Sequence, residues 1–437
     1  MDRLVVLMGN RVAGTLRLRA NNLLTFEYDE DYRHRTNATP ISLSMPLAVR
    51  THADTTAHPV VSNYLQGLLP DDDALLKRWA SFYQTRTTNP FYLLGTPVGR
   101  DCAGAVSFCP EEELTEYLGR GGRVDPLSID DVAGILRDLH RDRTLVLGAN
   151  FEGEFSLAGA QTKVALVHDL RGWGRPHGTA ATNRILKPSA LGWTDHDVNE
   201  HLCLAAAAAA DLTVAHSVVM TFADQESIVS HRYDRTPGPD GFYRRVHQED
   251  LCQALGISPD RKYENQGGPS PKEIAALLRR AMPGSDAERA VRAFADSLAY
   301  NWIIAGTDNH AKNYSLLLAG NDVRLAPLYD ISSILPYIGT RSPLTDEIID
   351  PRRTRSAMKI GGHYEYEPLH NSWPKAATEL GIPQDEMSAR VLALTERVPE
   401  AFVKVAASLS SSLNRPLVND LVDRVLARSE RCRSVLV

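Results

Sequence analysis

The chain has 437 residues, 43% of them apolar and 23% charged, and a formal net charge of −6. That balance describes an ordinary globular protein long enough for two or three packed units, and it supplies no global basic field for nucleic acid. None of the five cysteines forms a C-x-x-C pair or sits with histidines at zinc-finger spacing, and no window approaches the run of about 18 apolar residues that spans a bilayer. Buried thiols in a reducing compartment, a cytoplasmic location and no membrane partner are the expectations.

In chain order, residues 4–8, 15–18 and 24–28 read as short strands separated by Gly-Asn and Asn-Asn turns. Residues 41–47 alternate apolar and polar, as a half-buried strand does. Residues 61–79 carry helical spacing, broken near Pro70, where Asp71, Asp72 and Asp73 can cap a second helix. Short apolar runs at 91–94 and 105–108 close this region, and the Gly/Arg-rich stretch 119–124 makes a domain boundary. Strand-like runs follow at 155–158, 164–167, 184–187, 217–222 and 227–233, interrupted by a helix over 198–211 with six alanines at 205–210. From Gln248 onward helical periodicity takes over, with one hairpin near 314–329. Strands segregated from helices predict separate lobes, with a first subdomain over 1–118, a strand-rich lobe over 119–235 and a helical lobe over 236–437.

The densest polar cluster lies between an apolar helix and an apolar strand: Thr307, Asp308, Asn309, His310, Lys312 and Asn313. Asp308 and Asn313 have the D-x-x-x-x-N spacing of a protein-kinase catalytic loop, where the aspartate takes the acceptor hydroxyl's proton and the asparagine holds magnesium. Strands over 314–318 and 323–328, joined by a turn at Gly320-Asn321, bring their open ends together. Asn313 is therefore expected beside Asp330, a hard-oxygen pair suited to magnesium on triphosphate oxygens. Aspartates and asparagines around hairpins also make plain turns and caps, but three at this spacing favour chemistry.

Lys187 ends a short strand ahead of the helix carrying Glu200, so the two can form the lysine–glutamate pair of a kinase, or serve as a solvated strand end and a helix-dipole partner. The loop 155–163 is neither a Walker A loop nor G-x-G-x-x-G, yet its small residues at 158–160 let backbone N–H groups approach phosphate. The strand 227–233, running into a polar turn at Asp234, is expected at the lobe junction, where backbone groups would bind the adenine edge, or is simply another strand end.

Taken together, these pieces resemble the HipA family of bacterial serine/threonine kinases, the toxin halves of toxin–antitoxin pairs. The resemblance is carried by ISLSMPL (41–47), NYLQGLLPD (63–71), FSLAGAQTKVAL (155–166), ILKP (185–188), SHRYDR (230–235), KYENQGGPS (262–270), GTDNHAKNYSLLL (306–318) and LAPLYDISS (325–333). It implies an α+β, two-lobed, protein-kinase-like fold with an extra N-terminal α+β subdomain and a helical C-terminal lobe bearing one catalytic hairpin. It implies ATP and Mg2+ as cofactors, Asp308 as catalytic base, and Asn313 and Asp330 as metal ligands. Lys187 resembles the lysine on the nucleotide phosphates, and Ala158, Gly159, Ala160, Gln161, Thr162 and Lys163 the phosphate-cradling loop. His231, Tyr233 and Asp234 match positions around adenine and ribose, although the family usually has glutamate where this chain has His231. His310 and Lys312 either steady Asp308, touch phosphate or pack the loop. Ser156 matches the serine whose autophosphorylation silences family members, a step that places about two negative charges beside a phosphate-holding loop. The resemblance further implies a HipB-like helix-turn-helix antitoxin, DNA contact only through it, and a protein substrate such as an aminoacyl-tRNA synthetase whose phosphorylation halts translation. A small-molecule phosphotransferase and a catalytically silent co-repressor are the competing readings.

Overall fold

The computed structural model describes residues 2–85, 87–141, 155–159, 161–239 and 241–437. Its first elements are strands β1 (Arg3–Met8), β2 (Arg11–Leu18) and β3 (Leu24–Tyr28), helix α1 (Glu30–Arg33), strand β4 (Thr51–Ala53), helices α2 (Val60–Gly67), α3 (Asp73–Phe82) and α4 (Pro90–Leu94), strand β5 (Val106–Pro110) and helix α5 (Leu114–Arg120). Next come β6 (Gly122–Leu127), α6 (Ile129–Arg141), β7 (Val164–Asp169), β8 (Gly172–Gly178), β9 (Arg184–Pro188), α7 (His196–Ala209), β10 (Ser217–Phe222) and β11 (Gln225–His231). The chain continues through β12 (Arg235–Pro237), β13 (Tyr243–Arg245), β14 (His247–Asp250), α8 (Leu251–Leu255), α9 (Pro271–Ala281), α10 (Gly284–Ile304), β15 (Ser315–Ala319) and β16 (Asp322–Leu325). It ends with β17 (Arg355–Ile360), β18 (His363–Glu365), α11 (Trp373–Leu380), α12 (Gln384–Ser408) and α13 (Pro416–Ser434).

Two compact units result. The strand-rich one comprises Met1–Pro188, Met220–Asp260 and Ser315–Ala326; the helix-rich one comprises Ser189–Val219, Arg261–Tyr314 and Pro327–Val437. In the first, a five-stranded sheet runs β4-β3-β2-β1-β5 and a six-stranded sheet β10-β11-β9-β7-β8-β6, while β14, β15 and β16 form a third. Leu4 to Leu7 of β1 are all buried, which is why that strand reads as a continuous apolar run rather than an alternation. α6 buries Val132, Ala133, Leu136 and Leu139 at helical spacing. In the second unit, α9 starts on a capping box between Ser270 and Glu273 with Pro271 at its first turn. The 21-residue α10 is buried continuously from Ser297 to Ile304 and so gives the loop that follows it a rigid base.

Several local expectations change. Residues 41–47 form a turn, with Met45 N–H bonded to the Ser42 carbonyl at 3.0 Å. Side chains replace the expected ladder there: Ser42 Oγ donates to Glu249 at 2.5 Å, and the Glu249 carboxylate accepts the Leu43 N–H at 2.8 Å. Residues 155–158 are likewise irregular, not a strand, because the Ser156 N–H is taken by the Asp101 carbonyl. β6 and β8 escape the sequence pattern because they are rich in glycine and contain prolines. Pro126 is tolerated on an edge strand, and Pro176 lies beyond the short β7 ladder, which pairs only Val167–Asp169 with Gly172–Gly174. The stretch 119–124 is thus the end of α5 and the start of β6. His247–Asp250 is a strand pairing with β15, not helix. α7 begins at His196, which puts Glu200 in its second turn rather than its first. The helix-rich unit also carries the small β17–β18 hairpin.

Candidate active site

The polar loop leaves α10 at a sharp corner. Ala305 is left-handed (φ 51°), and a Cβ on the next residue, Gly306, would lie 2.2 Å from the Asn301 side-chain oxygen, so any larger residue would displace Asn301 from the pocket. The Tyr366 hydroxyl donates to the Gly306 carbonyl at 2.6 Å. Asn309 then fastens the loop sideways, its Oδ1 accepting from Ser356 Oγ and the Ala357 N–H, both at 3.1 Å. A 3-10 turn over Ala311–Asn313 completes the loop.

β15 and β16 pair through Ala319 and Asp322 across a Gly320-Asn321 turn, as the spacing predicts, and the Ala326 N–H closes on the Ser315 carbonyl at 2.8 Å. The segment beyond is held on both sides of Asp330. Leu328 exchanges backbone hydrogen bonds with Thr213 and Ala215 at 2.9 and 2.8 Å. Ser333 is clamped by Asn199, whose side-chain amide accepts its N–H at 3.0 Å and donates to its carbonyl at 2.8 Å. Between these clamps Asp330 adopts a left-handed backbone (φ 53°), which aspartate tolerates better than most residues. Asp308, Asn313 and Asp330 consequently line one pocket, with Asn301, Asn309 and Tyr329.

The Asn313 side-chain N–H donates to the Asp308 carbonyl at 2.6 Å, which leaves its amide oxygen as the atom for a cation. An amide oxygen and a carboxylate in one pocket form the hard-oxygen set that magnesium takes, so these residues fit the expected metal. Asp308 is the exposed member, with its side chain 58% accessible. Its Oδ1 accepts the Tyr263 hydroxyl at 2.6 Å and lies 3.7 Å from His310 Nε2. Burial holds His310 below the usual histidine range, against the pull of Asp308. Lys312 is buried, and its carbonyl accepts the Tyr329 hydroxyl at 2.6 Å.

The remaining expected residues belong to the strand-rich unit. Lys187 is buried near the end of β9, opposite Ile228 of β11. The Gln161 side chain donates to the Pro188 carbonyl at 3.2 Å, joining the 158–163 loop to the lysine-bearing strand. Lys163 Nζ donates to the Ala158 carbonyl at 2.6 Å, and Gly159 bridges Pro70, with the Asp71 N–H on its carbonyl at 3.4 Å. Ala158, Gly159, Gln161 and Thr162 are partly accessible; Ala160 lies outside the described residues. Ser156 is fully buried, with its hydroxyl donating to the Leu68 carbonyl at 2.7 Å. His231 ends β11 partly exposed, and the Tyr233 hydroxyl donates to Gln248.

Asp234 lies deeper than the sequence alone suggests. Its carboxylate is buried and accepts from Arg232 (3.0 and 2.8 Å), Arg235 (2.8 Å), the Gly104 N–H (2.8 Å) and Gln248 (3.2 Å). Its arginine partners lie within the SHRYDR motif, but Asp101 and Arg245, which complete the cluster, lie far away along the chain and were not legible in the sequence. Tyr263 was also missed as a contact of Asp308, 45 residues away. The KYENQGGPS motif was the only signal for it.

Comparison with known proteins follows the same lines. One family model, the HipA N-terminal domain, matches residues 4–109, and another, the HipA-like C-terminal domain, matches 155–402. Y4mE of Sinorhizobium fredii, provisionally named a kinase, is 32% identical over 97% of this chain and 96% of its own. The serine/threonine-protein kinase toxin HipA of Shewanella oneidensis is 24% identical, over 97% and 94% of the two chains. The fold resembles a chain of the solved Shewanella oneidensis MR-1 complex of HipA, HipB and operator DNA, with a TM-score of 0.81 over 99% of both chains at 22% identity. The expected two-lobed fold therefore holds for this chain.

Proposed function

The chain belongs to the HipA-like kinase family, and on that premise we propose that it is a Mg2+- and ATP-dependent serine/threonine protein kinase. The observation that carries the proposal is the meeting of Asp308, Asn313 and Asp330 in one pocket. Asp308, exposed and within reach of an incoming hydroxyl, acts as the base. The Asn313 amide oxygen and the Asp330 carboxylate hold magnesium, which when bound neutralises charge on the transferring phosphoryl group. Lys187 and the 158–163 loop, joined through Gln161 and Pro188, serve the phosphates. His231, Tyr233 and Asp234 border the adenine and ribose.

Ser156 is the proposed site of self-silencing. A hydroxyl with no accessible surface, bonded to the Leu68 carbonyl, has no space for a phosphate. Once phosphorylated, the loop must leave its position, and the phosphate cradle leaves with it. The HipA–HipB–operator complex of the structural relative supports a HipB-like antitoxin as partner and a toxin role; the family resemblance alone carries the further proposals that this antitoxin is a helix-turn-helix protein and that the target is a protein of translation. No helix among the described residues is long and apolar enough to cross a membrane.

The test is transfer of label from radiolabelled ATP to protein by wild type and Asp308→Ala, with and without cell lysate. We expect label on the wild type, part of it at Ser156 by mass spectrometry, and a loss of about 10²–10⁴-fold in the variant. A wild type that binds ATP and labels no protein would overturn the reading in favour of a small-molecule acceptor or a silent co-repressor.

A further inference from the structure

The segment that delivers Tyr263 to Asp308 is more firmly built than a surface turn requires. The Lys262 carbonyl accepts the Ala311 N–H at 3.2 Å, tying its backbone to the catalytic loop itself. The Tyr263 carbonyl accepts the N–H groups of both Gln266 and Gly268 at 2.9 Å. A Cβ on Gly268 would lie 2.4 Å from the Arg261 carbonyl oxygen and 2.8 Å from that of Tyr263, so the turn closes only around glycine. The Glu264 carboxylate accepts the Lys359 N–H at 2.6 Å. The Tyr263 ring stands edge-on to His310, with centroids 5.0 Å apart at 83°.

We propose that Tyr263 is a positioning residue for the catalytic base, a role that rests on the kinase reading above. Its hydroxyl donates to Oδ1 of Asp308 at 2.6 Å. With Oδ1 engaged there and facing His310, Oδ2 is the oxygen presented to the acceptor. In the transfer step the acceptor's proton passes to Oδ2, the acceptor oxygen bonds the γ-phosphorus, and the bond from that phosphorus to the β,γ-bridging oxygen breaks to release ADP. An exposed aspartate side chain samples several rotamers in water. A donor fixed on a rigid turn selects the one in which Oδ2 faces the substrate, and so raises the fraction of encounters that are productive.

Tyr263→Phe keeps the ring against His310 and removes only the donor. Steady-state transfer to a protein substrate should show kcat down about tenfold, the scale of one hydrogen bond to a charged group, with KM for ATP within about twofold and an unchanged melting temperature. Equal turnover by Tyr263→Phe and wild type would show the hydroxyl to be idle. Faster turnover would make Tyr263 a plug in the acceptor's place, and parallel losses of ATP affinity and thermal stability would make it a purely structural residue; each of these overturns the assignment. A wild type that transfers no phosphate to protein fails the kinase reading itself, an outcome separate from a working wild type matched by Tyr263→Phe.

Discussion

Two polar clusters, one in each unit, show how the same residue types serve opposite ends. In the strand-rich unit, Asp101 and Asp234 sit fully buried among Arg232, Arg235 and Arg245. Burial pushes the Asp101 carboxyl up, but the three guanidiniums outweigh it and hold it well below the usual carboxylate range. Both of its oxygens are taken, Oδ1 by Arg235 and Arg245 and Oδ2 by Thr182 and Arg232. In the helix-rich unit, Asp308 is exposed, and among the described residues no ion pair joins it to an arginine. The difference teaches that carboxylates saturated by buried arginines hold a fold, whereas an exposed carboxylate on rigid supports stays open to a substrate.

Swapping an aspartate for asparagine in each cluster sharpens the contrast, and the larger effect belongs to the pocket. Asp330→Asn keeps a residue that tolerates the left-handed backbone but removes the charge that would hold magnesium. Phosphate transfer should fall on the order of a thousandfold, the loss of several kcal/mol of charge stabilisation, with urea unfolding unchanged. A large loss of stability in that variant would instead class Asp330 with the saturated cluster. Asp101→Asn should do the reverse. Removing one partner of a buried ionic cluster costs about 3–5 kcal/mol, read in urea denaturation, and a variant as stable as wild type would break the comparison.

The sequence revealed the pocket and hid the cluster for a physical reason. Asp308, Asn313 and Asp330 are brought together by one helix end and one hairpin, both local structures with readable spacing. The hairpin turn at Gly320-Asn321 and the strands 217–222 and 24–28 were legible in the same way. Asp101, Arg232 and Arg245 meet through long-range packing, which leaves no periodic mark. Residues 41–47 show the converse failure. Their apolar–polar alternation is real, but it serves a turn whose polar groups are bonded to Glu249 rather than to a neighbouring strand. Tyr263 stands between these cases, visible only as part of a motif whose glycines hold it in place.

Glu249 sharpens the comparison further, because it is as buried as Asp101 but is paired with no arginine. Burial raises its carboxyl from the ordinary 4.5 to about 8, against the lowering pull of the Ser42 hydroxyl and the Leu43 N–H, and the neighbouring Asp250 adds to the rise. Where Asp101 is reconciled to the interior by counter-charges, Glu249 is reconciled by keeping its proton. The folded chain then binds a proton that the unfolded chain releases above about pH 4.5. The stability this contributes is full below that pH and is lost as pH rises through about 8. Between pH 6 and pH 8 the loss should amount to roughly 2 kcal/mol. Glu249→Gln, neutral throughout and able to accept the Leu43 N–H, should remove that slope. Urea unfolding of both proteins at pH 6 and pH 8 measures it. Parallel pH dependences would mean that Glu249 is ionised in the fold, held by hydrogen bonds alone, and that burial without a counter-charge does not suffice to keep a carboxyl neutral here.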